Sequence, residues 1–179
     1  MNIKNIFFFL ERINPQILKN ILKFKNISVI YNQEKINNFD LIKIKLILKK
    51  NNIPLYIRND VKLAIQFNLN GVYLSSDNKK IIYQTNKKAN FKVIGHVHNQ
   101  REFFFKKRQL CDILVVSPLF YNDKYSKNQI LNILKFNLLT KDWSNLICAL
   151  GGINLSNIKK IELTKSNYIG VKRFIETVK

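Results

Sequence analysis

The chain has 179 residues, with 31 Lys and Arg against 11 Asp and Glu, and a formal net charge of +20. That length suits one domain, residues 1–179, with its own core, and is too short for two ordinary enzyme domains. A hydrophobic share of 46% excludes a disordered polycation, 5 Gly and 3 Pro exclude collagen-like classes, and no uncharged apolar run is long enough to span a membrane.

Short β-type runs alternate with amphipathic segments along the chain. Ile3–Leu10 is apolar, but Glu11, Arg12 and Pro15 follow it with no small-residue cleavage site, so Ile6–Leu10 reads as a first strand and not as a signal peptide. The expected location is cytoplasmic. Asn14 before Pro15 opens a helix through Ile17, Leu18, Ile21 and Leu22. Strand two is Ile27–Tyr31, and a helix from Phe39 carries Ile42, Leu46 and Leu48. Strands at Pro54–Ile57, Gly71–Leu74 and Phe91–Gly95 come next. Asn99 to Glu102 resembles a capping box before Phe103–Leu110. Asp112–Val116 is strand six, and Ile130, Ile133, Leu134 and Leu138 mark a helix. Leu146–Leu150 is strand seven, Ile158 and Ile161 lie on one face of a helix after Asn154, and Tyr168–Val171 is strand eight.

Eight strands alternating with at least seven helices imply a parallel sheet, and eight units favour an α/β closed barrel, the (β/α)8 TIM barrel. An open doubly wound sheet is the alternative. At about 22 residues per unit the barrel is compact, and only Ile175–Lys179 is left for an eighth helix, which is truncated or missing. The outer wall left bare there suggests a homodimer or a docked partner.

Cys111 and Cys148 stand alone beside apolar runs, as reduced, buried residues do. The chain contains 26 Ile, 26 Lys and 25 Asn but 3 Ala, the bias of an AT-rich coding sequence, so much of the positive charge needs no acidic partner. Pairs such as Lys49-Lys50 and Lys106-Lys107 are spread over different elements and read as solvated surface. No DNA- or RNA-binding signature accompanies them, and nucleic acid is an unlikely partner.

Ligands of such folds bind at the carboxyl ends of the strands. The rim sequences are Asn32–Lys35, Arg58–Asp60, Ser75–Asn78, His96–Asn99, Ser117–Phe120 with Asn122, Lys124 and Lys127, and Gly151–Asn154. Gly151 and Gly152 let backbone approach a ligand, and a helix beginning after them aims free N–H groups at a phosphate; a plain tight turn is the other reading. His96 and His98 share one strand face, as a general base, as donors to a phosphate, or as local packing. A metal role for the pair is weaker, since no Cys or His joins them.

Four segments, LYIRNDVKLAIQFNLNGVYLSSD, VIGHVHN, DILVVSPLF and CALGGINLSNI, together resemble thiamine phosphate synthase and its relative the thiazole tautomerase, the TenI-like proteins. The resemblance runs from about Ile53 to Ile175 and supports the barrel over the open sheet. It implies a transferase of thiamine biosynthesis that condenses a hydroxymethylpyrimidine pyrophosphate with a thiazole phosphate and releases pyrophosphate with Mg2+. A relative that binds such a phosphorylated heterocycle without turnover is the other possibility.

The resemblance places the thiazole phosphate at Gly151 and Gly152 and on backbone near Val171 and Lys172. It gives Asn59 and a rim lysine, Lys124 or Lys127, to the pyrophosphate, and Asp60 and Asp77 to Mg2+. The Asn59-Asp60 match requires a one-residue gap. Ungapped, the pair is Arg58-Asn59 and the second metal position falls on Asn78. Asp60 and Asp77 are also ordinary helix N-terminal charges. His96 stands where a serine is usual, followed by a family-like His98-Asn99. The Gln-x-Arg-x-Lys motif of strand two is absent, and Pro118 replaces the tautomerase histidine.

Overall fold

The computed structural model describes residues 5–81, 90–123 and 125–172. Eight parallel strands close into a barrel in sequence order. They are β1 (Asn5–Leu10), β2 (Ile27–Tyr31), β3 (Leu55–Arg58), β4 (Gly71–Leu74), β5 (Lys92–Val97), β6 (Ile113–Val116), β7 (Leu146–Leu150) and β8 (Tyr168–Val171). Closure comes from β8 pairing back on β1, with Ile6 opposite Ile169 and Phe8 opposite Val171.

Strand alternation divides the core into two layers. Phe7, Phe9, Ile30, Tyr56, Tyr73 and Cys148 fill the barrel interior. Phe7 stacks on Tyr168 at 4.7 Å, and Phe9 meets Tyr73 edge-on at 5.3 Å. The alternate residues, such as Phe8, Val29, Ile57 and Val72, pack outward among Leu41, Ile44, Phe103 and Phe136 of the helices. Cys111 and Cys148 are both free and buried.

The helices are α1 (Pro15–Ile21), α2 (Asn38–Lys50), α3 (Val61–Gln66), α4 (Gln100–Arg108) and α5 (Asn132–Leu139). Asn14 caps α1 as its sequence predicts, accepting from the Gln16 and Ile17 N–H groups. Asn99 caps α4 through the Glu102 N–H, but the Glu102 carboxylate reaches the N–H of His98, one residue beyond a capping box. None of these helices is long and apolar enough to cross a membrane.

One helix expectation is corrected. The segment that would hold a helix between β4 and β5 includes residues 82–89, outside the described residues. After β7 the helix expected to follow Asn154 is a 3-10 helix at Ile158–Leu163 and not an α-helix. The Asn154 side chain accepts from the N–H groups of Ser156 and Asn157, and Asn157 accepts from Asn154. The donors expected to face a phosphate at that helix start are therefore spent on local side-chain caps. The eighth-helix segment, and with it the wall invoked for a homodimer, falls on residues 175–179, outside the described residues.

Candidate functional site at the barrel mouth

Parity builds the site. Two residues beyond the last interior layer, the same strand faces deliver Glu11, Asn32, Arg58, Ser75, His96, Ser117 and Lys172 to the carboxyl end of the barrel. All of them line one cavity of about 890 Å³. His98, Asp77, Gly151, Gly152 and Val171 line it too. The closed barrel thus brings together most of the residues singled out in the sequence. Lys124 lies outside the described residues.

Neither Asn59 nor Asp60 is among the lining residues. Asn59 has a φ of 57°, a left-handed conformation that Asn tolerates better than most residues. The chain turns there, and the Asp60 carboxylate accepts the Leu63 N–H at 2.9 Å as the N-cap of α3. Asn59 clamps the neighbouring loop. Its amide donates to the Ser75 hydroxyl at 2.7 Å and accepts from the Ser75 N–H at 2.9 Å and the Asn78 amide at 3.1 Å. Asp77 faces the mouth, and its carboxyl is held below the ordinary range, first by a hydrogen bond with Ser75, with Arg58 and Lys106 adding to the effect against partial burial.

The two histidines lie in a polar chain across the mouth. The Tyr73 hydroxyl is 2.8 Å from His96 Nδ1, and His96 Nε2 is 2.7 Å from the Ser117 hydroxyl. Burial, and next the neighbouring His98, push the His96 pKa well below its usual value, so the ring is neutral. Burial raises that of Tyr73, so the phenol keeps its proton. His98 Nδ1 is 2.8 Å from the Ser117 carbonyl, which can only accept, so this nitrogen carries the hydrogen. That leaves His98 Nε2 as the ring nitrogen not bonded to Ser117.

The cations are unequally committed. Lys172 is paired with Glu11 at 2.7 Å. Arg58 meets Glu34 at 3.3 Å, but Glu34 is 80% exposed, and Arg58 Nε is buried without a partner. The carboxamide oxygen of Asn32 is buried and unpartnered as well.

Gly151 and Gly152 lie at the mouth with φ values of 94° and 67°. What approaches them closely is the chain's own β6 loop. A methyl group on Gly152 would lie 2.4 Å from the carbonyl oxygens of Phe120 and Tyr121, and one on Gly151 2.9 Å from Pro118 Cα. The N–H groups of Gly152 and Ile153 have no partner among the described residues.

A family model, described as thiamine monophosphate synthase, matches residues 18–175. The chain belongs to that family. Thiamine-phosphate synthase 1 of Streptococcus pneumoniae is 30% identical over 135 residues, covering 73% of this chain and 62% of that protein. The chain thus spans less than two thirds of that relative. The thiamine-phosphate synthase of Pelagibacter ubique is 25% identical over 183 residues, covering 93% and 88%. A thiamine phosphate pyrophosphorylase structure from Pyrococcus furiosus superposes with a TM-score of 0.77 at 14% identity, over 94% of this chain and 85% of that one. That likeness carries the fold.

With Asp60 spent on its cap, Arg58 is the residue that reaches the cavity from the end of β3, and Asp77 reaches it from the loop after β4. Among the described residues, no group of three His, Cys, Asp or Glu side chains is placed to hold a metal ion.

The reading of Lys106 as solvated surface is corrected. It sits in a basic run on α4 and is fully buried. Its ammonium donates to the carbonyls of Ser75 and Asn78, each at 2.7 Å, and to Gln109 Oε1 at 3.0 Å. Tyr73 and Ser117 also had no role read from sequence. Counting strand parity to the rim would have found both.

Proposed function

We propose that this protein serves thiamine biosynthesis by binding a phosphorylated thiazole or pyrimidine at the barrel mouth, and that its reaction is a transfer of the thiamine phosphate synthase type. The observation that carries the reading is a cavity of about 890 Å³ at the carboxyl end of the strands, bordered by Arg58 and Lys172. Synthases of this family act on a phosphate and a pyrophosphate, and such groups need cationic and N–H donors.

The residues divide the work. The N–H groups of Gly152 and Ile153 and the backbone at Val171 and Lys172 take the phosphate of the thiazole. Arg58 attracts the anionic end of the second ligand. The neutral His96, fixed between Tyr73 and Ser117, holds Ser117 and so orients His98, whose Nε2 is left to accept a hydrogen bond from a ligand.

The test is the formation of thiamine phosphate from hydroxymethylpyrimidine pyrophosphate and thiazole phosphate, followed by chromatography, with calorimetry of thiazole phosphate alone. Product supports the full reading. Thiazole phosphate binding without product supports the binding role alone, and absence of both overturns it.

A further inference from the structure

We infer that Arg58 binds the pyrophosphate or phosphate of a ligand directly, as a metal-free anion, beside a loop clamped by Asn59 and Asn78. This rests on the proposed function and specifies how its charged ligand is held.

In the ungapped register the two rim positions that would carry metal carboxylates are Asn59 and Asn78, neutral amides joined to each other at 3.1 Å. Mg2+ is ordinarily held through one or two carboxylates plus substrate phosphates. The Asn59 oxygen already accepts from Ser75 and Asn78. That of Asn78 accepts from the Lys80 N–H at 3.0 Å and the Gln109 amide at 3.3 Å. Neither has charge or a free lone-pair geometry to give a dication. The carboxylate of Asp60 is spent on the α3 cap. Asp77 and Asp123 line the cavity, but among the described residues neither belongs to a group of three metal-ligating side chains, and Glu11 is paired with Lys172.

The loop also carries a cation of its own. Lys106 reaches from α4 to the carbonyls of Ser75 and Asn78, and this covalently tethered ammonium orders the segment that a metal ion would otherwise bridge. A dication beside it would meet like charge in a partly dry site. The family's magnesium does not fit this donor set. Arg58 fits an anion instead. It lines the cavity with Nε buried and unpartnered, and its salt bridge among the described residues is with the largely solvated Glu34. A guanidinium offers two parallel donors to phosphate oxygens and displaces a solvated carboxylate at small cost.

The experiment is calorimetry of inorganic pyrophosphate binding to the full chain, in excess chelator and in magnesium chloride, on the wild type, Arg58→Gln and Arg58→Lys. The wild type is expected to bind in chelator, and no more tightly with magnesium. Arg58→Gln should lose at least about tenfold in affinity, the scale of a charge-assisted pair, and Arg58→Lys should recover part of it. Binding that appears only with magnesium, binding that Arg58→Gln retains in full, or no binding in either buffer overturns the inference. Thiazole phosphate titrated in parallel separates the two levels. Its binding with a magnesium-dependent pyrophosphate isotherm removes this inference and leaves the proposed function standing.

Discussion

Gly95 and Lys106 share one space. A methyl group on Gly95 would lie 3.0 Å from both Cγ and Cδ of Lys106 and 2.6 Å from Cys111 Sγ. The glycine on β5 is what lets a lysine stem pass from the helix layer to the underside of the mouth. Gly95→Ala should therefore cost about 1–3 kcal/mol through overpacking. Lys106→Met keeps the stem but removes three hydrogen bonds and leaves Gln109 Oε1 without its donor, and should cost about 1–3 kcal/mol. Urea unfolding measures both. A loss under about 1 kcal/mol for Lys106→Met would mean that the Ser75–Asn78 loop does not depend on the ammonium.

Asp60 provides a sharper contrast. As an N-cap it is replaceable by Asn, which caps equally well, whereas Asp60→Ala should cost about 0.5–2 kcal/mol. Ligand affinity should follow stability alone, with Asp60→Asn binding as the wild type does. If Asp60→Asn were as damaging to binding as Asp60→Ala, the carboxylate would be acting at the mouth and the cap assignment would fail.

What could be read from sequence follows from periodicity. Eight apolar runs with Phe7, Phe9 and Tyr73 at alternate positions predict the barrel, and the barrel delivers His96, Asp77 and the twin glycines to one end. Three things broke that logic for local reasons. The left-handed turn at Asn59 rotates Asp60 out of the mouth, and no spacing rule predicts which Asn adopts that φ. Asn154 and Asn157 satisfy each other's backbone and replace the first turn of a helix with an Asx-type arrangement. Lys106 lies in a basic run that resembles a solvated face, and its burial depends on a glycine from a different strand.

Gly152 tests the role of the glycine pair. If it existed only for a ligand, Ala would fit until ligand arrived. The structure instead puts the Phe120 and Tyr121 carbonyls against the Cβ direction, with a positive φ added. Gly152→Ala should destabilise the free protein by about 1–3 kcal/mol, from αL strain and overpacking. Thermal unfolding without ligand reads this out. An unchanged melting temperature would assign the glycine to ligand approach alone.

His96 makes a pH prediction with a fixed sign. Its pKa is depressed in the folded state, first by burial, so the unfolded chain binds its proton more readily. Stability conferred by keeping the ring neutral is then complete above the ordinary histidine pKa of about 6.5 and is lost as pH falls below it. The loss should approach about 1.4 kcal/mol per pH unit until the folded pKa is reached. His96→Gln removes the titration, so its stability should decline less than that of the wild type between about pH 7 and pH 5. Urea unfolding across that interval decides the matter. Parallel slopes would mean that His96 gains its proton in the folded mouth as easily as in water, and that the Tyr73–His96–Ser117 chain does not hold the ring neutral.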